Sequence, residues 1–131
     1  MPKKAMDRQN TKILVVEDDE QYRVFLVELL ESLGFQVASS KNGSQCISNL
    51  SSMMPDLLIT DLIMPDIEGI ELIMAIREVD SSVPIIAISG GNLGDSDCYL
   101  DIADKVGAST CLNKPFSTDE LIATIDALLT A

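Results

Sequence analysis

Carboxylates, a hydroxyl and a lysine follow four of the apolar runs in the sequence, at the point where each run ends. They are Glu17, Asp18, Asp19 and Glu20 after the first run, Asp61 after the third, Ser89 after the fourth and Lys114 after the fifth. Carboxylates that converge on one place repel each other unless a cation neutralises them, and oxygen ligands of this kind suit Mg²⁺. A lysine and a hydroxyl beside them could hold the oxygens of a phosphoryl group. These residue types therefore predict a carboxylate that accepts a phosphoryl group next to Mg²⁺.

The elements that must position these side chains alternate between short apolar runs and segments with apolar residues at helical spacing. The predicted strands are residues 12–16, 35–38, 57–60, 84–88 and 109–112. The predicted helices are residues 22–33, 44–50, 68–79, 96–106 and 118–129. Continuous apolar strands indicate burial on both faces, and regular alternation with helices predicts a parallel sheet with right-handed crossovers.

The number of strand–helix units selects the fold class. Five units are too few for an eight-fold barrel, so the sequence predicts an α/β fold with an open, doubly wound sheet. A chain of 131 residues is expected to form one domain. Because ligands of open α/β sheets bind at the carboxyl ends of the strands, the polar residues above are expected to meet there.

The charge balance limits the classes of partner. Nine basic and 21 acidic residues give a formal net charge of −12, and the basic residues Lys3, Lys4, Arg8 and Lys12 are concentrated near the N-terminus. The acidic remainder repels phosphate backbones, so direct nucleic-acid binding is not expected. Cations or basic partner surfaces would be attracted instead.

The residue types that are missing exclude further classes. The sequence has no histidine and only three cysteines, Cys46, Cys98 and Cys111, without C-x-x-C spacing. This argues against zinc sites, disulfide frameworks and catalysis by Ser-His-Asp or Cys-His groups, and favours reduced thiols in a cytoplasm. No apolar run approaches the length of a membrane span, and no signal peptide is visible.

Four segments together resemble the receiver domain of response regulators in two-component signalling. They are ILVVEDDE (13–20), PDLLITDLIMPDIEG (55–69), PIIAISG (84–90) and GASTCLNKPF (107–116). Each is weak alone, but all four occur in order and each includes a predicted strand end. The resemblance covers about residues 12–130. It implies the flavodoxin-like (βα)5 fold with strand order 2-1-3-4-5 and a receiver domain at 12–131. Residues 1–11 are expected to form a flexible basic tail, as chain termini often do.

The resemblance implies a role for each of the residues that match the family motifs. Glu17 and Asp18 match the acidic pair that holds Mg²⁺, for which Mn²⁺ is a substitute. Asp61 matches the aspartate that accepts the phosphoryl group and ligates the metal, and Ile63 supplies a backbone carbonyl ligand. Ser89 and Lys114 match the hydroxyl and the lysine that contact the phosphoryl group. The peptide bond between Lys114 and Pro115 is expected to be cis, as is usual in the family.

The implied function is a phosphorylation-controlled switch. A sensor histidine kinase or phosphotransfer protein donates a phosphoryl group to Asp61, and the domain catalyses only this transfer and its own dephosphorylation, so it is not otherwise an enzyme. The aspartyl phosphate shifts an equilibrium that changes a partner-binding surface. That surface is expected on helix 96–106, strand 109–112 and helix 118–129, in a monomer or in a dimer that depends on phosphorylation. The output protein is not identified, and the chain is either a single-domain regulator or a receiver from a longer protein.

Two departures from the family pattern concern the switch. Cys111 stands where an aromatic side chain is common, so we expect Ser89 and loop movement alone, or a different output face, to carry the switch. Ser89 and Lys114 are 25 positions apart, a few more than usual, and the extra residues are expected in the segment GGNLGDSD (90–97).

Four other interpretations stay open on the residues alone. The acidic run 17–20 could simply be a solvated helix N-terminus, which favours acids. A phosphatase with an aspartyl-phosphate nucleophile would place D-x-D after strand 1, whereas this chain has Glu-Asp-Asp-Glu. A flavodoxin would have a Ser/Thr/Gly phosphate loop at that place. A receiver-like interaction domain that no longer accepts phosphate is the fourth interpretation.

Overall fold

Five parallel strands form one sheet in the order β2-β1-β3-β4-β5. The computed structural model describes residues 7–61, 69–89, 107–114 and 116–130. The strands are β1 (Lys12–Val16), β2 (Gln36–Ser40), β3 (Leu57–Asp61), β4 (Ile85–Ser89) and β5 (Thr110–Asn113). The helices are α1 (Glu20–Ser32), α2 (Gly43–Met53), α3 (Gly69–Val79) and α4 (Thr118–Leu129). The predicted fold class and strand order are confirmed, whereas the predicted helix 96–106 lies outside the described residues.

The register aligns the carboxyl ends of the strands at one edge of the sheet. Val16 at the end of β1 lies beside Ser40 of β2 and Thr60 of β3. Asp61 lies beside Ile88, and Ser89 lies beside Asn113. The residues that follow β1, end β3 and follow β5 therefore meet at this edge, which we call the carboxyl edge.

Both faces of the sheet are covered, as the continuous apolar runs predict. Alternate residues of the central strands pack on one side against α2 and α3, with Leu14, Leu58 and Ile85 fully buried there. The other alternate residues, such as Ile13 and Ile59, pack against α1 and α4. Burying one such side chain contributes about 1.5–3 kcal/mol to the free energy of folding. The sheet is therefore held firmly on both faces, and it fixes the positions of the residues at its carboxyl edge.

Most element bounds match the sequence, and the differences have local causes. β3, β4 and β5 each end one residue later than predicted, because a polar residue, such as Asp61, continues the backbone pairing of its strand. β2 continues to Ser40 for the same reason, and Ser40 accepts a hydrogen bond from the Glu17 amide. α2 extends three residues beyond the predicted end at residue 50, to Met53. Its C-cap is Met54, whose φ of 51° lies in the left-handed region.

Local capping fixes the end of α1 and the beginning of α4, the two helices on one face of the sheet. Gly34, with a φ of 102°, follows α1, and the amides of Gly34 and Phe35 donate to the carbonyls of Glu31 and Leu30, which is a Schellman arrangement. A capping box between Ser117 and Glu120 begins α4. These motifs set where the chain enters and leaves the helices that flank the carboxyl edge.

Residues 7–11, part of the segment for which a flexible tail is expected, contact the domain before β1. Arg8–Asn10 form one turn of 3₁₀ helix, and the Arg8 guanidinium donates to the Leu33 carbonyl. The same guanidinium lies 5.5 Å from the ring centroid of Phe35. The proposed division of the chain at residue 12 stays a prediction.

Candidate functional site

The carboxyl edge brings three of the predicted site residues into direct contact. Lys114 Nζ donates to Glu17 Oε1 at 2.9 Å and to Asp61 Oδ2 at 3.2 Å. Glu17 directly follows β1, Asp61 ends β3 and Lys114 directly follows β5. Residues that are 53 and 97 positions apart in sequence therefore form one charged cluster. In the sheet, β1 and β3 are neighbours, and β5 lies two strands from β3. The long side chain of Lys114 reaches from the end of β5 to the carboxylates at the ends of β1 and β3.

Burial makes this cluster unusual. The side chains of Glu17 and Asp61 are 2% and 11% exposed, and that of Lys114 is 25% exposed. Buried carboxylates are rare unless they are paired or bind a metal, because leaving water penalises the charged form. The arrangement therefore requires positive charge at this edge, and Lys114 supplies one charge for two carboxylates.

Asp18 completes a group of three carboxylates. Oxygen atoms of Glu17, Asp18 and Asp61 lie within 4.8 Å of one another, and Asp18 is the exposed member. Three oxygen ligands of this kind fit a small divalent cation that keeps some of its water, which is the preference of Mg²⁺. The exposed side of Asp18 leaves the group open toward solvent. The residues present therefore fit the expected metal, and the fourth predicted ligand, the carbonyl of Ile63, lies outside the described residues.

The proton affinities at the cluster reflect burial and like charge. Burial raises the pKa of Glu17, the charge of Asp61 raises it further, and the hydrogen bond from Lys114 opposes both, so that its pKa rises from 4.5 to about 7. Burial alone would lower the pKa of Lys114, but the hydrogen bond to Glu17 and the charges of Asp61 and Glu17 raise it overall. Lys114 therefore stays charged at neutral pH, whereas the ionised form of Glu17 is less favoured than that of an ordinary glutamate.

The four consecutive acids have different tasks. Asp19 is the N-cap of α1, and its side chain accepts a hydrogen bond from the Tyr22 amide at 3.3 Å. Glu20 lies exposed in the first turn of the helix, where a negative charge interacts favourably with the helix dipole. The interpretation as a helix N-terminus is thus correct for Asp19 and Glu20, while Glu17 and Asp18 face the cluster.

The first turn of α1 also holds Glu17 in place. The Asp19 amide donates to Glu17 Oε2 at 3.3 Å, and Arg23 Nη1 donates to the Glu17 carbonyl oxygen at 2.9 Å. The Glu17 amide donates in turn to the carbonyl of Ser40. Strand pairing and helix capping therefore fix both the backbone and the side chain of this residue.

Tyr22 is a site residue that the sequence pattern assigns only to the buried side of α1. Lys114 Nζ lies 4.1 Å from the centroid of the Tyr22 ring. The ring also packs edge-on against Phe116, with centroids 6.5 Å apart. An aromatic residue in the first turn of the helix that follows the acidic run is the signal that could have revealed this contact.

Several predicted features are placed only in part. Ser89 ends β4 and its backbone pairs beside Asn113, but its side chain lies outside the described residues, as do Pro115 and Cys98. Cys111 lies in β5 beside Ala87, is partly buried and packs against the core on the α2 and α3 side. Cys46 is fully buried, as an apolar filler would be.

Within the described ranges, no helix combines the length and the apolar character that a bilayer crossing requires.

Comparison with known proteins places these residues in a family. A family model described as the response regulator receiver domain matches residues 13–126. The chain is 38% identical over 119 residues to a transcriptional regulatory protein, the CpxR homolog of Haemophilus influenzae, covering 91% of this chain and 50% of that protein. It is 35% identical over 124 residues to the response regulator receiver protein CpdR of Brucella abortus, covering 92% of this chain and 98% of that protein. The chain thus spans about half the length of several relatives and nearly all of another.

Solved structures agree with the sheet topology. The receiver domain of a Francisella response regulator superposes with a TM-score of 0.81 at 28% identity, covering 92% of this chain and 97% of that one. A response regulator receiver domain protein from Clostridium thermocellum superposes with a TM-score of 0.84 at 26% identity, covering 91% and 94%.

Proposed function

This chain belongs to the response regulator receiver domain family of two-component signalling, and from that premise we propose that Asp61 accepts a phosphoryl group from a phosphohistidine. The donor is a sensor histidine kinase or a histidine phosphotransfer protein. The observation that carries the proposal is the contact of Lys114 Nζ with Asp61 Oδ2 at 3.2 Å beside the buried carboxylate of Glu17. A carboxylate, a fixed cation and a metal-ready acidic pair are the groups that phosphoryl transfer requires.

In the proposed transfer, a carboxylate oxygen of Asp61 forms a bond to the phosphorus of the phosphohistidine. The phosphorus–nitrogen bond breaks, and the histidine nitrogen keeps its electron pair. Lys114 moves its hydrogen bond from the carboxylate to a phosphoryl oxygen, so its charge offsets the negative charge that is carried into the site. The Ser89 hydroxyl, at the end of the neighbouring strand, would donate to another phosphoryl oxygen.

Glu17, Asp18 and Asp61 would hold the divalent cation, together with the carbonyl of Ile63. When bound, Mg²⁺, or Mn²⁺ in its place, would supply positive charge that offsets the negative charge of the phosphoryl group and of the Asp61 carboxylate. Because the pKa of Glu17 is raised, a bound cation would displace its proton and favour the ionised carboxylate. The exposed carboxylate of Asp18 gives access from solvent.

In the proposed dephosphorylation, the phosphoryl group is transferred to water. A water oxygen attacks the phosphorus, the bond to the Asp61 oxygen breaks, and the carboxylate is regenerated while the water proton leaves to solvent. The domain then returns to its unphosphorylated state. In this proposal it catalyses only its own phosphorylation and dephosphorylation.

The proposed consequence of phosphorylation is a changed surface for an output protein. By family resemblance this surface includes β5 and α4 together with residues 96–106. Cys111 in β5 has no ring to reorient, so we propose that Ser89 and its loop carry the change. The setting proposed for these reactions is the cytoplasm, with a monomer or a phosphorylation-dependent dimer as the signalling form.

Intact-mass measurement with acetyl phosphate and Mg²⁺ tests the proposed function. Acetyl phosphate transfers its phosphoryl group without a protein donor, so the chain's own chemistry is isolated. We expect one added phosphoryl group, absent with Asp61→Asn and absent in EDTA. An adduct that persists in Asp61→Asn would place the acceptor elsewhere. No adduct in rapidly quenched samples, together with no binding of the phosphoryl mimic beryllofluoride, would contradict the proposal.

A further inference from the structure

The ammonium group of Lys114 is surrounded on three sides. Glu17 and Asp61 accept its hydrogen bonds at 2.9 and 3.2 Å, and the Tyr22 ring lies on a third side, 4.1 Å from Nζ to the ring centroid. This separation is well within the range of a cation–π interaction, in which the negative face of a ring attracts a cation. The ring is therefore a direct partner of the lysine.

Tyr22 is held rigidly enough to orient another group. Its amide donates to the N-cap side chain of Asp19 at 3.3 Å, so its position in the first turn of α1 is fixed. Phe116 packs edge-on against the ring at 6.5 Å, and Phe25 lies at 5.9 Å with a tilt of 38°. Helix capping and the edge-on contact with Phe116 thus set the orientation of the ring.

The ring differs from the carboxylates in one chemical respect. The negative charge of Glu17 and Asp61 is lost to a bound proton or neutralised by a bound metal, and the carboxylate charge of Asp61 is lost when its oxygen forms an acyl phosphate. The ring face keeps its partial negative charge through all of these events. It also adds no net charge, so it does not increase the repulsion within the acidic group. Its attraction for Lys114 therefore persists when the lysine exchanges the Asp61 carboxylate for a phosphoryl oxygen.

We infer that Tyr22 is a positioning residue that holds the Lys114 ammonium at the site by a cation–π interaction while a phosphoryl group is transferred to Asp61. This inference rests on the proposed function of Asp61. It assigns to the first turn of α1 a part in the chemistry, in addition to its part in the core.

The alternative role for Tyr22 is packing alone, since it is partly buried beside the core on the α1 side. Packing requires apolar volume, which leucine can supply, whereas the cation–π interaction requires the electrons of an aromatic ring. Tyr22→Phe keeps the ring and removes the hydroxyl, and Tyr22→Leu keeps apolar volume and removes the ring. Phe25→Leu is a matched control, because Phe25 lies on the same helix, is 51% exposed and contacts Tyr22.

The test measures the rate constant for phosphorylation by acetyl phosphate in Mg²⁺, with the thermal midpoint of each variant recorded beside it. We expect Tyr22→Leu to lower the rate constant about three- to tenfold, and Tyr22→Phe and Phe25→Leu to remain near wild type. Phenylalanines with increasing numbers of ring fluorines at position 22 remove electrons from the ring face with little change in size. Their rate constants should fall stepwise, without a matching fall in the thermal midpoint.

The outcomes separate this inference from the function on which it rests. Equal rate constants for wild type, Tyr22→Leu and the fluorinated series would overturn the role of Tyr22 while leaving phosphorylation of Asp61 intact. Rates that follow the thermal midpoints and ignore fluorination would assign Tyr22 to packing alone. If wild type forms no adduct and binds no beryllofluoride, the proposed function fails and the positioning role fails with it.

Discussion

Two partly buried cations lie at opposite edges of the sheet, and their partners differ in kind. Lys114 lies at the carboxyl edge between two carboxylates. Arg77, near the end of α3, lies where the strands begin, which we call the amino edge, and donates to backbone carbonyls that precede β4 and β5. Carboxylates can bind a proton, a metal or a phosphoryl group, whereas peptide carbonyls keep the same charge under all these conditions. Lys114 can therefore exchange its hydrogen-bond partners when the carboxylates react, whereas Arg77 keeps the same partners throughout.

The contacts of Arg77 show how the permanent arrangement is built. Nε and Nη2 both donate to the Gly107 carbonyl, at 2.9 and 2.7 Å, and Nη1 donates to the Val83 carbonyl at 2.6 Å. Burial lowers the pKa of Arg77, and the charge of Asp80 opposes this. A guanidinium remains protonated in any case, so the bonds hold throughout the accessible pH range. Arg77 thus ties α3 to the entrances of two strands that carry site residues at their far ends.

Removal of the cation at the carboxyl edge should have the largest effect on function. In Mg²⁺ buffer we expect Lys114→Met to slow phosphorylation of Asp61 by about 10²-fold, because one preorganised donor to the reacting group is lost. The free energy of unfolding should change by less than about 1 kcal/mol, since the metal can neutralise the acids. Intact-mass time courses and urea unfolding measure the two quantities. If Lys114→Met unfolds more easily but, while folded, is phosphorylated at the normal rate, then Lys114 has a structural role like that of Arg77, and the account of the two edges is wrong.

Removal of the cation at the amino edge should have the opposite result. Arg77→Met leaves the carbonyls of Gly107 and Val83 without their charged donor, and we expect the free energy of unfolding to fall by about 2–4 kcal/mol. The rate of phosphorylation, measured where the variant is fully folded, should stay within twofold of wild type. Arg77→Lys, which keeps the charge but not the planar geometry, should recover only part of the loss. Slow phosphorylation in a fully stable Arg77→Met protein would show that this edge takes part in the chemistry.

The two edges should also respond differently to pH. The folded-state pKa of Glu17, about 7, lies above the ordinary value of 4.5, so protonation of Glu17 favours the folded state. The resulting stability is fully present below about pH 4.5 and is lost as the pH rises through 7. In EDTA we therefore expect the free energy of unfolding to fall by about 2 kcal/mol between pH 5 and pH 8.

Urea unfolding at several pH values measures this slope. Glu17→Gln should remove most of it, and saturating Mg²⁺ should flatten it by favouring the ionised carboxylate. Glu20→Gln is the control, because Glu20 is an exposed acid three residues later. A slope that survives Glu17→Gln would mean that another group titrates in this range.

The smallest expected effect concerns the glycine that meets Arg77. Gly107 has a φ of 121°, and a Cβ at this position would lie 2.9 Å from Arg77 Cγ. Gly107→Ala should therefore lower the free energy of unfolding by about 1–2 kcal/mol.

Gly34→Ala separates the two causes of this loss. Gly34 also has a positive φ, of 102°, but its nearest neighbour is Arg8 Cβ at 3.5 Å, so only backbone strain is added. The clash at position 107 is between the added Cβ and the Arg77 side chain, which Arg77→Ala removes. The losses of unfolding free energy in Gly107→Ala and Arg77→Ala should therefore not be additive. Strict additivity in a double-mutant cycle would contradict the contact.

The sequence predicts most of this fold because the strands are buried on both faces. Residues 13–16 and 57–59 are continuous apolar runs, and both lie in central strands that pair with a neighbour on each side. The sequence predicts the edge strand β2 two residues short at its carboxyl end, because Ser39 and Ser40 carry no apolar signal and backbone pairing decides their state. The strand ends at Asp61, Ser89 and Asn113 were each missed by one residue for the same reason.

The site divides in a similar way. Glu17, Asp18, Asp61 and Lys114 were predicted together, because the carboxyl ends of parallel strands meet and the order of motifs identifies those ends. Tyr22 and Arg77 were not assigned a role at either edge. Their contacts depend on side-chain reach across the fold, over 92 positions between Tyr22 and Lys114, and no local spacing encodes such a contact. The roles of Ser89 and Ile63 remain predictions.

Chemical trapping of the phosphoryl group tests the central claim most directly. Borohydride reduces an acyl phosphate to an alcohol, so a phosphorylated aspartate becomes homoserine while free carboxylates do not react. Protein treated with acetyl phosphate and Mg²⁺ would be reduced, digested and mapped by tandem mass spectrometry. We expect homoserine at position 61, and none when EDTA is present during phosphorylation. Homoserine at position 18 or 19, or at no position while an adduct is present by intact mass, would contradict the assignment of Asp61 as the acceptor.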